Sequence, residues 1–434
     1  MSRQSAHRRS LHRAFAASLS GTTLEYYDFA LYSSAAALIF GRLFFAQGDP
    51  LTGLLESFAT YAVGYVARPL GGIVFGRLGD LIGRKKVLVA TLLVVGIATF
   101  LIGLLPTHAR VGALAPALLV LCRFAQGIGV GGEWGSAVLI TSELSGEGER
   151  GFWASAAQLG PPLGTLLANG VLGLLTAILS EDAFLGWGWR VSFLLSAGLV
   201  GFGLWLRVRL EETPVFRELE SRGQRPSAPV TEVVKSQGRA LAAAILVRIG
   251  PDVLYAMFTV FVLTYATRLL GLTRAQAVTA VLSGSALQLL AVPASGWLSD
   301  RLGRRRVYAA GAVAGALWSM GFMLLAHDFT AVMVGVAGAL LFHSLMYGPQ
   351  AAFIAEQFPD HLRATGSSLG YTLAGLMGGA IAPLIFTALL RDARAGWLIG
   401  LYIGLACAVT LVGLRLGREG PELACEAGLR VPPS

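Results

Sequence analysis

The stretch Gly76-Arg77-Leu78-Gly79-Asp80-Leu81-Ile82-Gly83-Arg84-Lys85-Lys86 decides how this chain folds. It recurs in the second half as Gly296-Trp297-Leu298-Ser299-Asp300-Arg301-Leu302-Gly303-Arg304-Arg305-Arg306. Each copy follows a long apolar run and precedes another. A short basic turn between two apolar helices is therefore used twice, at corresponding places in the two halves. Such an internal repeat predicts a duplicated bundle of membrane helices.

The composition also indicates a membrane protein. The 434-residue chain is 55% hydrophobic and only 14% charged, with a mean hydropathy of +0.65. Soluble domains average about 25% charged residues. A chain so poor in charge cannot cover its apolar surface in water, so it needs lipid as its solvent. This excludes an ordinary soluble globular domain.

Twelve apolar runs are each long enough to cross the hydrocarbon layer, which takes about 20 residues per helix. We therefore predict an all-α membrane protein of twelve transmembrane helices in two six-helix bundles. The predicted spans are 13–40, 54–77, 87–106, 113–141, 152–179, 188–208, 240–268, 275–298, 307–326, 329–354, 366–389 and 395–416. The predicted domains are an N-terminal tail at 1–12, an N-terminal bundle at 13–208, a cytoplasmic linker at 209–239, a C-terminal bundle at 240–416 and a C-terminal tail at 417–434.

The net charge of +9 does not indicate nucleic-acid binding, because the basic residues form no basic folded domain. They concentrate in both tails and in alternate loops. The remaining loops carry only a few: Arg42, Arg110, Arg268, Arg274, Arg391 and Arg394. Cytoplasmic loops are the ones enriched in Lys and Arg. The bias predicts a multi-pass protein of the bacterial inner membrane with both termini in the cytoplasm.

Ionisable and polar side chains occur inside the predicted spans. A charge at the bilayer centre costs at least about 2.5 kcal/mol, so each needs a partner or an aqueous surface. Apart from the one on span 2 they fall on every third span, and their spacing places each set on one helix face. We predict that these faces line a central polar cavity. They are Glu25, Asp28 and Tyr32 on span 1, Arg68 on span 2, Arg123, Gln126 and Glu133 on span 4, Arg248, Asp252 and Tyr255 on span 7, and His343, Tyr347 and Gln350 on span 10.

Two chemistries follow from these residue types. A carboxyl group in a low-dielectric site can take up and release protons near neutral pH, which predicts proton coupling through Asp28, Glu25 and Glu133. An arginine stays charged and can bind a carboxylate through two hydrogen bonds. The predicted substrate-binding residues are Arg123, Arg68, Gln126, Tyr32, Arg248, Asp252, Tyr255, His343, Tyr347 and Gln350.

The alternative for each charge is a structural ion pair that joins helices. This alternative is as good as the functional one for Arg248 and Asp252, which are four residues apart on one helix. Arg68 is followed by Pro69, so gating or a salt bridge competes with substrate contact. For His343, the alternative to a proton relay is a core histidine whose hydrogen bonds are satisfied within the protein.

Membrane anchoring alone does not explain the repeated basic loop. Its Lys and Arg residues can bind an anionic leaflet, but the fixed Gly and Asp positions need another reason. An Asp at the end of one helix can accept hydrogen bonds from the N-terminus of a neighbouring helix. We therefore predict a conformational latch between the bundles, made by Gly76, Asp80, Gly83, Arg84, Gly296, Asp300, Gly303 and Arg304.

No pattern in the chain indicates an enzyme. Gly127, Gly129, Gly131 and Gly132 superficially resemble a dinucleotide-binding loop, but they lie in an apolar run that no strand precedes. Close packing of helices explains them. No phosphate-binding loop of the Gly-x-x-x-x-Gly-Lys-Ser/Thr type occurs, and the three cysteines have no metal-ligand spacing. We predict no metal and no cofactor, with the proton as coupling ion.

Several of these motifs resemble those of a known transporter family. The two basic loops and Arg123-Phe124-Ala125-Gln126-Gly127 are similar to signatures of the major facilitator superfamily. Four further strings resemble its metabolite:proton symporter family: Gly21-Thr22-Thr23-Leu24-Glu25-Tyr26-Tyr27-Asp28-Phe29, Ala67-Arg68-Pro69-Leu70-Gly71-Gly72, Val130-Gly131-Gly132-Glu133 and Gly188-Trp189-Arg190.

This resemblance implies twelve helices, alternating access and proton cotransport. The family carries proline or betaine, 2-oxoglutarate, citrate, shikimate and related acids. It implies that Glu25, Asp28, Arg68, Arg123 and Glu133 are the functional charges. Leu81 stands where the loop signature usually has a basic residue, so the first latch is expected to be weaker than the second.

We therefore predict a monomeric symporter that imports a small organic acid or zwitterion. Two alternatives remain open. Gly160-Pro161-Pro162-Leu163-Gly164 partly resembles a signature of drug/proton antiporters, which would export their substrate. A non-transporting membrane sensor would need an output domain, and the predicted linker is short for one.

Overall fold

Helices make up nearly all of the computed structural model, which describes residues 3–45, 49–82, 84–131, 148–155, 157–208, 229–359, 362–390 and 396–419. No β-strand occurs within these ranges. The first half contains six long helical segments. They are α1 (Arg3–Ala35, continued by a π-helical turn at Ala36–Phe40 and by Gly41–Leu43), α2 (Pro50–Ile82), α3 (Arg84–Leu104), α4 (Leu114–Val130), α5 (Arg150–Ala154, a 3₁₀ turn at Ala157–Leu159, and Gly160–Ile178) and α6 (Glu181–Ala183, a π-helical turn at Phe184–Gly188, Trp189–Leu194 and Ser196–Val208).

The second half repeats this arrangement. Its segments are α7 (Gly238–Ala256, a π-helical turn at Met257–Phe261, and Val262–Arg268), α8 (Arg274–Leu302), α9 (Arg304–Leu325), α10 (Phe329–Glu356), α11 (Arg363–Gly375, a π-helical turn at Leu376–Ala380, and Ala382–Leu389) and α12 (Gly396–Leu416). Two short helices, His108–Val111 and Pro229–Ser236, lie outside these segments. The described chain therefore has the twelve long segments that the apolar runs predicted.

Eight segments of the described chain, α5 to α12, are long and apolar enough to cross a membrane. Two further apolar helices, Val89–Leu104 and Leu114–Val130, are shorter. The remaining two, α1 and α2, carry buried charges such as Glu25 and Arg68, which lower their hydropathy. The multi-pass membrane fold expected from the composition is therefore confirmed.

Several boundaries differ from the predicted spans. Helix α1 begins at Arg3, well before residue 13, because a helix can continue beyond the apolar run that predicted it. Helix α4 ends at Val130, whereas residues up to 141 were assigned to it, and 132–147 lie outside the described residues. Most of the predicted linker and the tail from 420 onward also lie outside them.

Helix ends and interior prolines follow local chemistry. The Thr273 hydroxyl caps α8 by accepting from the Gln276 N–H at 3.2 Å. The Gln276 side-chain oxygen accepts in turn from the Thr273 N–H at 3.0 Å. Gly303 separates α8 from α9 with φ of +90°, a conformation that glycine adopts without steric cost. Prolines inside α2, α7, α8 and α10 are tolerated because neighbouring helices can satisfy the freed backbone groups.

The α2–α4 contact places the buried arginines. A Cβ added to Gly127 would lie 2.7 Å from the Ala67 side chain, and one added to Gly71 would lie 2.9 Å from the Ile128 Cα. Only glycine permits such close backbones. Close packing therefore accounts for Gly127, Gly129 and Gly131, whereas Gly132 lies outside the described residues. The same contact brings Arg68 on α2 close to Arg123 on α4.

The two halves pack mainly within themselves. In the first half, α1 packs on α5, while both α2 and α3 pack on α4. In the second half, α8 packs on α10, and α7 packs on α12. Between the halves, α5 crosses α8, and α2 approaches α11. We call the end at the α8–α9 connection, near Gly303, the basic end, and the end at the α7–α8 connection, near Gly271, the opposite end.

Candidate functional site

Arg123 on α4 is the most deeply buried charge of the first half, with no exposed surface. Its Nη1 donates to the Gln126 Oε1 at 3.0 Å, and its Nε donates to the Tyr61 carbonyl at 3.4 Å. Gln126 in turn donates to the Thr99 hydroxyl on α3 at 2.6 Å. The guanidinium is therefore held by three helices, and its Nη2 has no hydrogen-bond partner among the described residues.

Aromatic rings contact the two fully buried or nearly fully buried arginines of the first half, Arg68 and Arg123. The Phe29 ring lies 4.1 Å from the Arg123 guanidinium and 4.2 Å from that of Arg68, so one ring contacts both cations. Tyr32 adds a contact to Arg123 at 4.3 Å, and Tyr65 adds one to Arg68 at 4.3 Å. Cation–π attraction, worth about 2 kcal/mol when desolvated, thus helps to stabilise two like charges in a low-dielectric region.

The acids of α1 border two small cavities. Glu25 and Asp28, both buried, line a cavity between α1, α3, α4 and α6. Glu25 also lines a second cavity, between the halves, together with Arg68 and Tyr371. A carboxyl group therefore stands between the interior of the first half and the boundary between the halves. Glu133, the remaining predicted proton site, lies outside the described residues.

The charges of the second half are paired with each other. Arg248 Nε contacts both carboxylate oxygens of Asp252, at 3.0 and 2.9 Å. The same guanidinium lies over the Tyr371 ring, 3.2 Å from its centroid. The i, i+4 spacing predicted this local pair, and its geometry supports the structural ion-pair alternative. Tyr371 was not predicted as a site residue.

The polar residues of α10 separate into two groups. His343 accepts or donates at Nδ1 with the Gln288 amide at 2.9 Å, and its ring packs against Tyr255 and Tyr347. Gln350 lies two turns further along, where it donates to the Tyr308 hydroxyl at 2.9 Å and contacts Gln158 of α5. Gln350 is therefore held between helices, away from the group around His343.

Hydroxyl pairs join the halves at the level of the buried charges. The Tyr26 hydroxyl on α1 contacts the Tyr371 hydroxyl on α11, and the Thr165 hydroxyl on α5 contacts the Tyr255 hydroxyl on α7 at 2.9 Å. Sequence reasoning missed Tyr26, Thr165 and Tyr371 because none of them lies three, four or seven residues from a charge within its own span. Such a signal did exist for two other tyrosines, since Tyr61 and Tyr65 share a face of α2 with Arg68.

At the basic end, the second copy of the repeated loop makes contacts between the halves. Asp300 accepts from the Gly151 and Phe152 N–H groups at the start of α5, at 2.8 and 2.9 Å. Arg304 lies 3.5 Å from Asp300 and forms two hydrogen bonds to Glu356, at 2.8 and 2.7 Å. Gly83 falls outside the described residues, as do the side chains at positions 76, 80 and 84. The role of both copies as a conformational latch stays a prediction.

The opposite end is closed by different contacts. Thr264 donates to the Ala37 carbonyl at 3.3 Å, and Arg268 donates to the Pro50 carbonyl at 3.1 Å. Glu181 accepts from Arg274 at 3.0 Å and lies 3.4 Å from Arg42. The halves therefore touch at both ends. The predicted site residues that the structure describes are buried or half-buried in this conformation, and aromatic rings lie against the charged groups.

A multi-pass helical fold with ionised side chains buried near the boundary of two similar halves defines a membrane transport protein. No group of three or more His, Cys, Asp or Glu residues that could hold a metal occurs in the part of the chain that the structure describes. The chain belongs to the Major Facilitator Superfamily, whose family model matches residues 18–383 and 253–431.

Individual relatives agree with this assignment. The chain is 37% identical over 417 residues to the inner membrane metabolite transport protein YhjE of Escherichia coli K12, covering 94% of each chain. It is 36% identical over 413 residues to the shikimate transporter of the same organism, again covering 94% of each. Its structure is similar to that of the proton:xylose symporter XylE of E. coli, with a TM-score of 0.74, 17% identity and coverage of 97% and 99%.

These findings confirm the superfamily, the fold and the metabolite-transport relationship expected from the motifs. The protein is a transporter and not an enzyme.

Proposed function

We propose that this protein is a proton-coupled symporter that imports a small organic acid or zwitterionic metabolite by alternating access. It would act as a monomer in the bacterial inner membrane, with both termini in the cytoplasm. The observation that carries the proposal is the pair of buried guanidiniums in the first half. Arg68 Nε and Arg123 Nη2 have no hydrogen-bond partner among the described residues. An unsatisfied buried donor costs about 1–3 kcal/mol, and a substrate carboxylate would remove that cost.

The geometry supports a division of roles between the two arginines. Arg68 borders the cavity between the halves, where Tyr371 of the second half faces it. Arg123 lies deeper, behind Phe29, Tyr32 and Tyr61. We therefore assign the first contact with the substrate carboxylate to Arg68. Arg123 would strengthen the positive potential behind it and would bind the carboxylate directly if the aromatic side chains move apart.

Proton coupling is proposed through Asp28, with Glu25 between the two cavities. Asp28 and Glu25 border the same cavity within the first half. Protonation of one carboxyl group would offset the negative charge that the substrate brings. A neutral site crosses a low-dielectric region at lower cost than a charged one. Rocking of the two halves would then follow only when proton and substrate are both bound.

Uptake into proteoliposomes tests this function. With radiolabelled shikimate as probe, we expect an inwardly directed proton gradient, with the outside more acidic than the inside, to drive accumulation in the wild type. A protonophore should abolish that accumulation. Asp28→Asn should lose accumulation but keep exchange of internal for external shikimate, because exchange needs no net proton movement. Full coupling in both Asp28→Asn and Glu133→Gln would remove both carboxyl groups from the proton role.

Export by proton antiport is the second candidate, since the Gly160–Gly164 stretch partly resembles the antiporter signature. Packing supplies another reason for these glycines. A Cβ on Gly164 would lie 2.6 Å from the Tyr26 carbonyl carbon, so the motif lets α5 approach α1 closely. The direction of substrate flux in everted vesicles distinguishes the two candidates.

A further inference from the structure

Four aromatic rings around the buried charges are already in contact with the protein's own cations. Guanidiniums lie 4.1 to 4.3 Å from the centroids of Phe29, Tyr32 and Tyr65, and 3.2 Å from that of Tyr371. A site for a quaternary ammonium compound needs free aromatic faces within about 6 Å of the ligand cation. Here a ligand cation would have to displace an arginine or lie beside one, and like charges repel.

Besides the Glu25 carboxyl group, which borders the cavity between the halves, the polar groups open to a ligand include hydroxyls. In this closed conformation they pair with each other across the boundary, Tyr26 with Tyr371 and Thr165 with Tyr255. A substrate entering between the halves must separate these pairs. A ligand with its own hydroxyl groups can replace the lost hydrogen bonds, whereas an apolar ligand would leave the protein hydroxyls unsatisfied, at about 1–3 kcal/mol each.

We infer that the site selects a carboxylate that carries several hydroxyl groups, and that the Tyr255 and Tyr371 hydroxyls determine this selectivity. The inference rests on the proposed function, because it names the substrate class of the same site. The carboxylate binds Arg68 on the first half. The substrate hydroxyls bind Tyr255 and Tyr371 on the second, so one molecule contacts both halves and can draw them together.

His343 packs behind this surface. Its ring packs against Tyr255, with centroids 5.1 Å apart, and against Tyr347, at 4.8 Å. Gln288 holds the imidazole at 2.9 Å and is itself fully buried. The Tyr255 ring is therefore packed against a histidine that is itself held by a buried amide.

Three probe ligands test the inference on purified full-length protein. Shikimate has a ring, a carboxylate and three hydroxyl groups, cyclohex-1-ene-1-carboxylate has the same ring and carboxylate without the hydroxyls, and glycine betaine has a quaternary ammonium group. We expect shikimate to bind roughly 10- to 1,000-fold more tightly than its deoxygenated analogue, and betaine to bind more weakly than shikimate. Calorimetric titration measures the three affinities.

Isosteric variants assign the selectivity to residues. Tyr255→Phe and Tyr371→Phe should each lower shikimate affinity about 3- to 10-fold and change that of the deoxygenated analogue by less than about twofold. Thr165→Val removes the hydroxyl from which the substrate must separate Tyr255, so it should leave shikimate affinity unchanged or raise it. Tyr402→Phe is the matched control, since Tyr402 packs against Phe386 away from the site, and it should change neither affinity.

Several outcomes would overturn the inference. One is equal loss of affinity for both carboxylates in the two Phe variants, and another is betaine binding more tightly than shikimate. Failure of all three ligands to bind would overturn the proposed substrate classes as well. Selective binding of shikimate without uptake driven by a pH gradient would contradict the proposed symport alone and leave the selectivity intact.

Discussion

Arg248 and Asp252 are one helical turn apart on α7 and share two hydrogen bonds in a buried environment. Removing one member of such a pair leaves an uncompensated charge, whereas replacing both members with apolar residues is often neutral. This asymmetry makes it possible to separate a structural role from a transport role, which the sequence left as equal alternatives.

We expect Arg248→Met and Asp252→Leu each to destabilise the protein by about 3–5 kcal/mol, and the double variant to recover most of that loss. Unfolding of purified protein in detergent measures these changes, and uptake into proteoliposomes measures function. A double variant with restored stability and normal uptake would establish a structural pair. Restored stability without uptake would show that the charges act in transport.

Glycines at the α5–α8 crossing set how closely the halves approach at the basic end. A Cβ on Gly151 would lie 2.6 Å from the Gly296 carbonyl oxygen and 2.7 Å from the Asp300 Oδ1. The same residue donates its N–H to Asp300. The close approach of α5 to α8 and the hydrogen bonds that Asp300 accepts therefore both depend on the position of Gly151. The Asp300 carboxylate also interacts favourably with the N-terminus of α5, which stabilises the closed basic end.

Gly151→Val should prevent closure at the basic end, since overpacking costs about 1–3 kcal/mol. We expect substrate uptake to fall at least about tenfold. Gly170→Val is the control, because nothing lies within 4 Å of a Cβ at that position on the same helix. Uptake assays with expression checked by size-exclusion chromatography make the comparison. Equal uptake by the two variants would contradict the role of the crossing.

At the scale of the whole molecule, the two ends are closed by unlike contacts. The basic end has a carboxylate on a helix N-terminus and a backbone crossing that only glycine permits. The opposite end has Glu181 with Arg274 and Arg42, and the Glu181 carboxylate is 60% exposed. Exposed ion pairs contribute about 0–1 kcal/mol. The opposite end is therefore expected to open more readily than the basic end.

Accessibility of a cysteine at Ser368 reports which end is open. Ser368 lines the cavity between the halves near the start of α11, at the basic end. We expect Ser368→Cys to react faster with a charged methanethiosulfonate when combined with Gly151→Val. It should react more slowly when combined with Gly173→Trp, which places a large side chain against Val278 at the opposite end.

Protein without the Ser368→Cys change gives the background reaction of the three native cysteines, of which Cys122 and Cys407 are buried and Cys425 lies outside the described residues. Unchanged rates in both combinations would mean that the halves do not rock about the central site.

The sequence by itself determined the features that depend on local spacing and on solvent. Twelve apolar runs are expected to be helices because every backbone group within the membrane must be satisfied, and the repeated basic loop was readable directly from the duplication. The Arg248–Asp252 pair was also readable, because residues four apart on a helix are neighbours. The sequence also predicted that the Asp300 carboxylate accepts hydrogen bonds from the N-terminus of a neighbouring helix, because carboxylates generally favour helix N-termini.

Only the tertiary structure decided which distant side chains meet. Phe29 lies against both Arg68 and Arg123 because glycines bring α2 and α4 into backbone contact. Tyr26 reaches Tyr371 because α1 and α11 come from different halves that face each other. Gln350 lies apart from His343 because two turns of helix separate them. Such contacts depend on how helices cross, and crossing geometry is set by packing between elements far apart in the chain.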